Sequence, residues 1–176
     1  MIQDSGPVTN ADRAVLFEQA VLPHLNAAYN LARWLTRNDD DASDVAQESL
    51  LRALRFFDGF RGGAFRPWLL TIVRNTYLTW IQKNQPQALT PLEDDTESRG
   101  ANPEELLLER VDGERLRRAL DDLPREYREV IVLRELEELS YKEIADIAGI
   151  PIGTVMSRLA RARRRLQQAV AQGGIG

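Results

Sequence analysis

Residues 139–166 read LSYKEIADIAGIPIGTVMSRLARARRRL, a pattern typical of two short consecutive helices. Ser140 and Glu143 have the spacing of a capping box, in which a serine hydroxyl accepts a hydrogen bond from the first turn and a glutamate reaches back. Gly149 falls where this short helix must end in a left-handed residue, and Pro151 suits the start of the next helix. Two helices joined by so tight a turn predict a helix-turn-helix.

The second helix of this pair has two distinct faces. Apolar residues recur at helical steps and are predicted to pack inward: Val155, Leu159, Ala162 and Leu166. The other side carries the residues that we predict to contact DNA: Thr154, Ser157, Arg158, Arg161 and Arg165. A helix in the major groove uses short hydroxyls near its start and guanidinium groups that meet guanine edges or phosphates. A basic helix that binds RNA, a protein or nothing is the alternative.

Local charge supports the DNA interpretation. The formal net charge of the chain is −4, which by itself argues weakly against nucleic acid. From Ile150 to the C-terminus, however, there are five arginines and no acidic residue. Because a surface attracts partners through its own charge, the C-terminal helix is predicted to favour an anionic partner.

Helical periodicity also organises the N-terminal half. Apolar residues from Leu16 to Leu35 recur at three- and four-residue steps, as one face of a helix requires. A second helix is predicted over residues 42–57, opened by three aspartates that suit a positive helix N-terminus. Glycines interrupt the pattern before a third helix over residues 68–83, with Pro67 in its first turn. Phe65 and Trp68 are expected to be core anchors.

Between Asn84 and Pro103 the periodicity disappears. This segment contains three prolines and a cluster of acidic residues, which is the composition of a linker. We therefore predict an all-α protein with two small helical domains, at residues 11–85 and 104–172, joined by a flexible acidic linker at residues 86–103. We expect the two domains to fold independently and to meet only through this linker.

Composition excludes several classes of function. The chain has no cysteine and a single histidine, His24, so disulfides, thiolate metal sites and histidine-based catalytic triads have no residues to form them. We expect no enzyme activity, no metal and no cofactor. No apolar run approaches the ~20 residues of a membrane span, and the N-terminus lacks the order of a signal peptide. The expectation is a cytoplasmic protein without membrane insertion.

Several longer motifs carry a family resemblance. In the C-terminal half these are LPREYR at 123–128, LSYKEIA at 139–145 and GTVMSRLARAR at 153–163; in the N-terminal half they are DVAQE at 44–48, FRPWL at 65–69 and IVRN at 72–75. With these motifs the chain resembles the extracytoplasmic-function (ECF) branch of the bacterial sigma-70 factors. The resemblance implies sigma region two in the first domain and sigma region four in the second.

The resemblance also implies partners: core RNA polymerase, promoter DNA and an anti-sigma factor that silences the protein. The polymerase would dock on the polar face of the second helix: Asp44, Gln47, Glu48, Leu51 and Arg55. Residues 58–66 are similar to the loop that captures an unstacked promoter base, a step that costs a few kcal/mol. Arg61, Arg74 and Asn75 are the candidates for the downstream promoter element. After them, residues 79–83 carry a single positive charge where relatives are strongly basic, which predicts weaker phosphate contacts.

The acidic linker has two interpretations. In the family it threads the polymerase cleft, and otherwise it is a solubilising tether. The main alternative function is a helix-turn-helix regulator that binds DNA alone as a dimer. Such a dimer needs a self-complementary interface, and the sequence shows no heptad repeat for one.

Overall fold

The computed structural model describes residues 6–89, 92 and 113–172. In these ranges the chain forms α-helices and short helical turns and no strands, so the all-α expectation is confirmed. The N-terminal unit consists of four helices: α1 Asn10–Val21, α2 Leu25–Thr36, α3 Asp39–Phe56 and α4 Phe65–Asn84. The C-terminal unit has four more: α5 Gly113–Asp121, α6 Arg125–Ile131, α7 Tyr141–Ala148 and α8 Ile152–Gln172.

The apolar residues from Leu16 to Leu35, which were predicted to lie on one helix, belong to two helices. A 3-10 turn over Leu22–His24, with Pro23 inside it, separates α1 from α2. Proline has no amide hydrogen to donate, so it favours a break in the helix at this point. α2 ends at Arg37 in the left-handed conformation, and the Asn38 side chain then caps α3. α3 thus begins at Asp39, so the three aspartates lie inside its first turn, where the helix dipole favours them.

The core of the N-terminal unit lies where α2, α3 and α4 pack against each other. Its buried side chains include Leu31, Leu35, Val45, Leu69, Leu70 and Val73. Arg13 fastens α1 to the end of α3, since its guanidinium donates to the Leu54 carbonyl at 2.6 Å and to Asp58 at 2.7 Å. This packing leaves the polar face of α3 open to solvent.

The helix-turn-helix has the predicted local chemistry. The Glu143 amide donates to the Ser140 hydroxyl at 3.1 Å, and the Ser140 amide donates to the Glu143 carboxylate at 2.9 Å. Gly149 takes φ +66°, the left-handed conformation expected at the end of α7. The four residues predicted to pack inward from α8 are all buried: Val155, Leu159, Ala162 and Leu166. Before α7, α6 continues into a π-helical turn over Val132–Leu136.

The two units pack directly against each other, so the expectation that they meet only through the linker is wrong. α2 contacts α6, and α4 contacts α7. The contact was missed because it depends on charged residues that are remote in sequence. Arg74 of α4 pairs with Glu129 of α6, and Arg66 pairs with Glu137, which follows the π-helical turn.

A buried arginine joins three chain segments at this interface. The Arg128 guanidinium donates to the carbonyls of Trp34 at 2.7 Å, Leu123 at 2.7 Å and Asp121 at 3.2 Å. Burial, with Arg37 nearby, lowers the pKa of Arg128 to about 10. Its hydrogen bonds therefore hold the turn between α5 and α6 against the end of α2.

Arg128→Ala should lower the free energy of unfolding by about 2–4 kcal/mol, because three carbonyls at a buried site lose their donor. Urea denaturation followed by circular dichroism measures the change. Arg118→Ala is the control, because Arg118 is exposed on α5 and its ion pair with Glu114 spans 3.4 Å. The control should stay within about 0.5 kcal/mol of the unmodified protein. Equal stability of the two variants would contradict this role of Arg128.

Candidate DNA-binding and docking surfaces

Helix α8 is held by α5, α6 and α7, and its opposite side faces solvent. The residues predicted to contact DNA differ in how exposed their side chains are. Ser157 and Arg165 are exposed, whereas Thr154, Arg158 and Arg161 are half-buried. The Arg158 Nε is enclosed and has no hydrogen-bond acceptor among the described residues. Arg165 lies over the Tyr127 ring, 4.9 Å from its centroid, in a cation–π contact.

The arginines at positions 163 and 164 have different environments. Arg163 is buried, and its Nη2 lies 2.7 Å from Glu135 Oε1 of the π-helical turn. Arg164 is exposed seven residues after Ser157, which places both on one face of α8. Arg164 is therefore a candidate contact that the sequence analysis missed, although the seven-residue spacing could have revealed it. Two apolar residues near the start of α8, Ile152 and Met156, are also exposed.

All five residues predicted to dock a partner are exposed on α3: Asp44, Gln47, Glu48, Leu51 and Arg55. Glu48 pairs with Arg52 one turn later, with 2.9 Å between the guanidinium Nε and the carboxylate. Leu51 is 59% exposed, and Phe56 at the end of the helix is 58% exposed. Phe56 was not among the predicted residues, but it adds a second apolar contact to this face. A polar surface with a few exposed anchors is typical of a protein interface.

The glycine-rich loop, residues 58–66, lies beside a cluster of aromatic side chains. Phe60 and Trp68 have ring centroids 5.2 Å apart, and Phe65 lies at the same distance from Trp68. Gly62 and Gly63 have φ of +89° and +88°, a conformation that side chains disfavour. Phe65 is buried and Trp68 half-buried, which fits their expected role as core anchors. Arg61 is exposed in the loop beside them.

The remaining two downstream candidates differ in orientation. Asn75 is exposed, whereas Arg74 is half-buried against Glu129 of the other unit. Arg61 and Asn75 are thus open to solvent, and Arg74 already has an anionic partner. The structure therefore does not bring all three together on one open surface.

The single histidine packs within the N-terminal unit. His24 stacks on Phe65 with ring centroids 5.7 Å apart, and burial together with Arg66 lowers its pKa. Among the described residues there is no group of three or more histidine or acidic side chains placed to hold a metal ion. In the same ranges no helix is long and apolar enough to span a membrane.

Comparison with known proteins gives two family matches in one chain. The model of Sigma-70 region 2 matches residues 20–87, and the model of Sigma-70, region 4 matches residues 113–166. The ECF RNA polymerase sigma factor SigE of Mycolicibacterium smegmatis is 34% identical over 89% of this chain, which spans 62% of that relative's length. The ECF RNA polymerase sigma-E factor of Salmonella typhimurium is 41% identical, with 74% of each protein covered.

Two solved structures are similar over both units. The sigma factor RpoE from Bartonella quintana, in complex with the anti-sigma factor NepR, gives a TM-score of 0.71 at 31% identity and covers 88% of this chain and 96% of its own. CnrH, in complex with the cytosolic domain of CnrY, gives 0.66 at 25% identity, with 90% of each chain covered. A score above 0.7 over 88% of the chain requires the two units to superpose together.

The neighbouring arginines of α8 should respond differently to substitution. Arg163→Ala should lower stability by about 1–3 kcal/mol, because it leaves Glu135 without its partner. Arg164→Ala should weaken binding to duplex DNA and lower stability less than Arg163→Ala does, because Arg164 is exposed whereas Arg163 is buried. If Arg164 contacts one phosphate, the slope of log affinity against log salt should fall by about 0.9. Thermal unfolding measures the change in stability, and fluorescence anisotropy measures DNA binding. An unchanged salt slope would show that Arg164 does not contact a DNA phosphate.

Proposed function

The chain belongs to the ECF branch of the sigma-70 family, and we propose that it binds core RNA polymerase and directs it to promoters. The observation that carries the proposal is the match to region 2 and region 4 in one chain, with the second match on the helix-turn-helix. In this proposal the protein recognises two promoter elements and helps to open the duplex. The polymerase supplies the active site, so the sigma factor itself catalyses no reaction.

Recognition of the upstream element is assigned to α8. Its proposed contacts are Thr154, Ser157, Arg158, Arg161 and Arg165, to which its exposed face adds Arg164. Half-buried Arg158 can contact DNA only through the Nη atoms of its guanidinium group, because its Nε is enclosed. The hydroxyls near the start of the helix are suited to base edges, and the later arginines to phosphates.

Polymerase docking is assigned to the face of α3 that carries Asp44, Gln47, Glu48, Leu51 and Arg55. Every one of these side chains reaches solvent. Exposed Phe56 extends the same face. Arg61, Arg74 and Asn75 are proposed to contact the downstream element, with the glycine-rich loop beside them.

The proposed domains are region two at residues 11–85 and region four at residues 104–172, with the acidic linker at 86–103. Within the linker, Pro86–Ala88 forms a 3-10 turn at the end of α4, and residues 93–112 lie outside the described ranges. One sigma factor with a similar structure, RpoE from Bartonella quintana, was solved in complex with the anti-sigma factor NepR. We propose such an inhibitor here too, and a site of action in the cytoplasm, where the polymerase works.

Sedimentation of the purified protein with core polymerase tests the proposal. A sigma factor should form a stable one-to-one complex with the polymerase. The alternative, a helix-turn-helix regulator, should instead bind a palindromic site as a dimer without polymerase. Dimers that bind DNA and do not associate with the polymerase would overturn the proposed function.

The double variant Gln47→Lys and Glu48→Lys should abolish association with core polymerase, because it reverses the charge of the docking face. Glu18→Lys with Gln19→Lys is a matched control, since it makes the same two changes on the exposed face of α1. Co-purification with the polymerase measures the effect. The control should bind at least ten times more tightly than the α3 variant, a difference of about 1.4 kcal/mol. Equal binding of the two variants would show that α3 is not the docking face.

A further inference from the structure

A cleft of about 340 Å³ lies where the end of α2, the second half of α4 and the turn between α5 and α6 meet. α2 and α4 belong to the N-terminal unit, whereas the turn and α6 belong to the C-terminal unit. Small-molecule sites occupy roughly 300–1,000 Å³, so the cleft has room for a small ligand and not for a folded polymer segment. A ligand in this cleft contacts both units at once.

The lining of the cleft carries more positive than negative charge. Its basic residues are Arg37, which follows α2, and Arg125 and Arg128 of α6. Among the described residues that line it, Asp122 is the one acid, and it is exposed to solvent. A phosphate monoester carries about −1.5 to −2 charges at pH 7 and matches this excess better than a single carboxylate does.

The three guanidinium groups retain hydrogen-bond donors for a ligand. Arg37 donates to the Asp121 carbonyl at 3.0 Å. Arg125 donates to the Glu126 carboxylate at 2.9 Å. Each guanidinium has five N–H donors, so these contacts use only a part of them. Buried Arg128 donates to carbonyls through Nε and Nη1, which leaves its Nη2 for a ligand.

Like charges lie close together at this point of the fold. Burial, and then the charge of Arg37, lower the pKa of Arg128 to about 10, while Asp121 acts in the opposite direction. The carbonyls that Arg128 binds are neutral, so they solvate its charge but do not cancel it. A bound anion offsets the repulsion between the arginines and therefore gains more here than at an isolated surface arginine.

An aromatic surface belongs to the same cleft. Tyr77 and Trp80 of α4 have ring centroids 6.4 Å apart, with 23° between the ring planes. Both line the cleft, where Tyr77 is buried and Trp80 is half-buried. Leu123 and Pro124 add apolar surface from the other unit. Because a planar base stacks well on a partly exposed indole, this surface suits an aromatic ring.

From these observations we propose that the cleft is a binding site for a nucleoside monophosphate. The base packs on the indole of Trp80, and the phosphate accepts hydrogen bonds from the three arginines. Such a ligand uses both the aromatic and the cationic part of the lining, which a bare anion does not. The site goes beyond the promoter-directed function and does not depend on it.

Calorimetric titration of the full-length protein tests the site with three probes: adenosine 5′-monophosphate, adenosine and inorganic phosphate. The nucleotide should bind about tenfold more tightly than adenosine or phosphate, because each of these lacks one part of the contacts. Equal binding of phosphate and nucleotide would indicate an anion held by exposed arginines alone and would contradict the proposal. Equal binding of adenosine would contradict it as well, since the arginines would then contribute nothing.

Variants of the lining locate the site. Arg125→Gln and Trp80→Leu should each weaken binding of the nucleotide about tenfold, since they remove a charged donor and the stacking surface. Arg118→Gln is the matched control for charge, because Arg118 is exposed on α5 and does not line the cleft. Trp34→Leu is the matched control for the ring, because Trp34 is half-buried on α2 outside the lining. Both controls should bind the nucleotide as the unmodified protein does.

Thermal unfolding gives an independent measurement. At about ten times its dissociation constant, the nucleotide should raise the Tm of the unmodified protein by about 3–6 °C, because it binds the folded state and contacts both units. Arg37→Gln should reduce this rise, and because Arg37 is exposed this variant keeps the test decisive if Arg125→Gln or Trp80→Leu unfolds. Circular dichroism monitors the fold of every variant. The absence of nucleotide binding at millimolar concentration, or an equal loss of binding in the matched controls, would overturn the proposal.

Discussion

A buried charge requires a partner, and the C-terminal unit buries three charges that each have a partner in the other unit. Arg128 donates to the end of α2, and Glu129 and Glu137 accept from α4. Leaving any of these groups unpaired inside the protein would cost several kcal/mol. The placement of the two units against each other and the orientation of Arg74 satisfy these charges.

The same constraint separates arginines that bind internal partners from arginines that remain at the surface. Arg13, Arg128 and Arg163 hold the fold, since each donates to a carbonyl or carboxylate that packing has brought close. Arg164 and Arg165 stay at the surface of α8, where they are suited to an external anion. Arg66 and Arg74 lie between these classes, because their partners are internal but belong to the other unit. A residue type alone therefore does not identify a DNA contact.

Local features of the fold could be predicted from the sequence. The capping box at Ser140, the left-handed Gly149 and the inward stripe of α8 depend on neighbours within a few residues. The break at Pro23 was missed because the apolar spacing continues across it. The pairing of Arg163 with Glu135 and of Arg74 with Glu129 depends on side chains 28 and 55 residues apart. Periodicity contains no information about such contacts, so the packing of the two units could not be predicted.

We propose that this chain gives RNA polymerase its promoter specificity. Transcription in vitro, with purified core polymerase on fragmented genomic DNA, tests it most directly. We expect transcripts that start at fixed positions only when the protein is present, downstream of sites that share two sequence elements. Transcripts that start at the same positions without the protein, or the absence of any protein-dependent start in the presence of active polymerase, would contradict it.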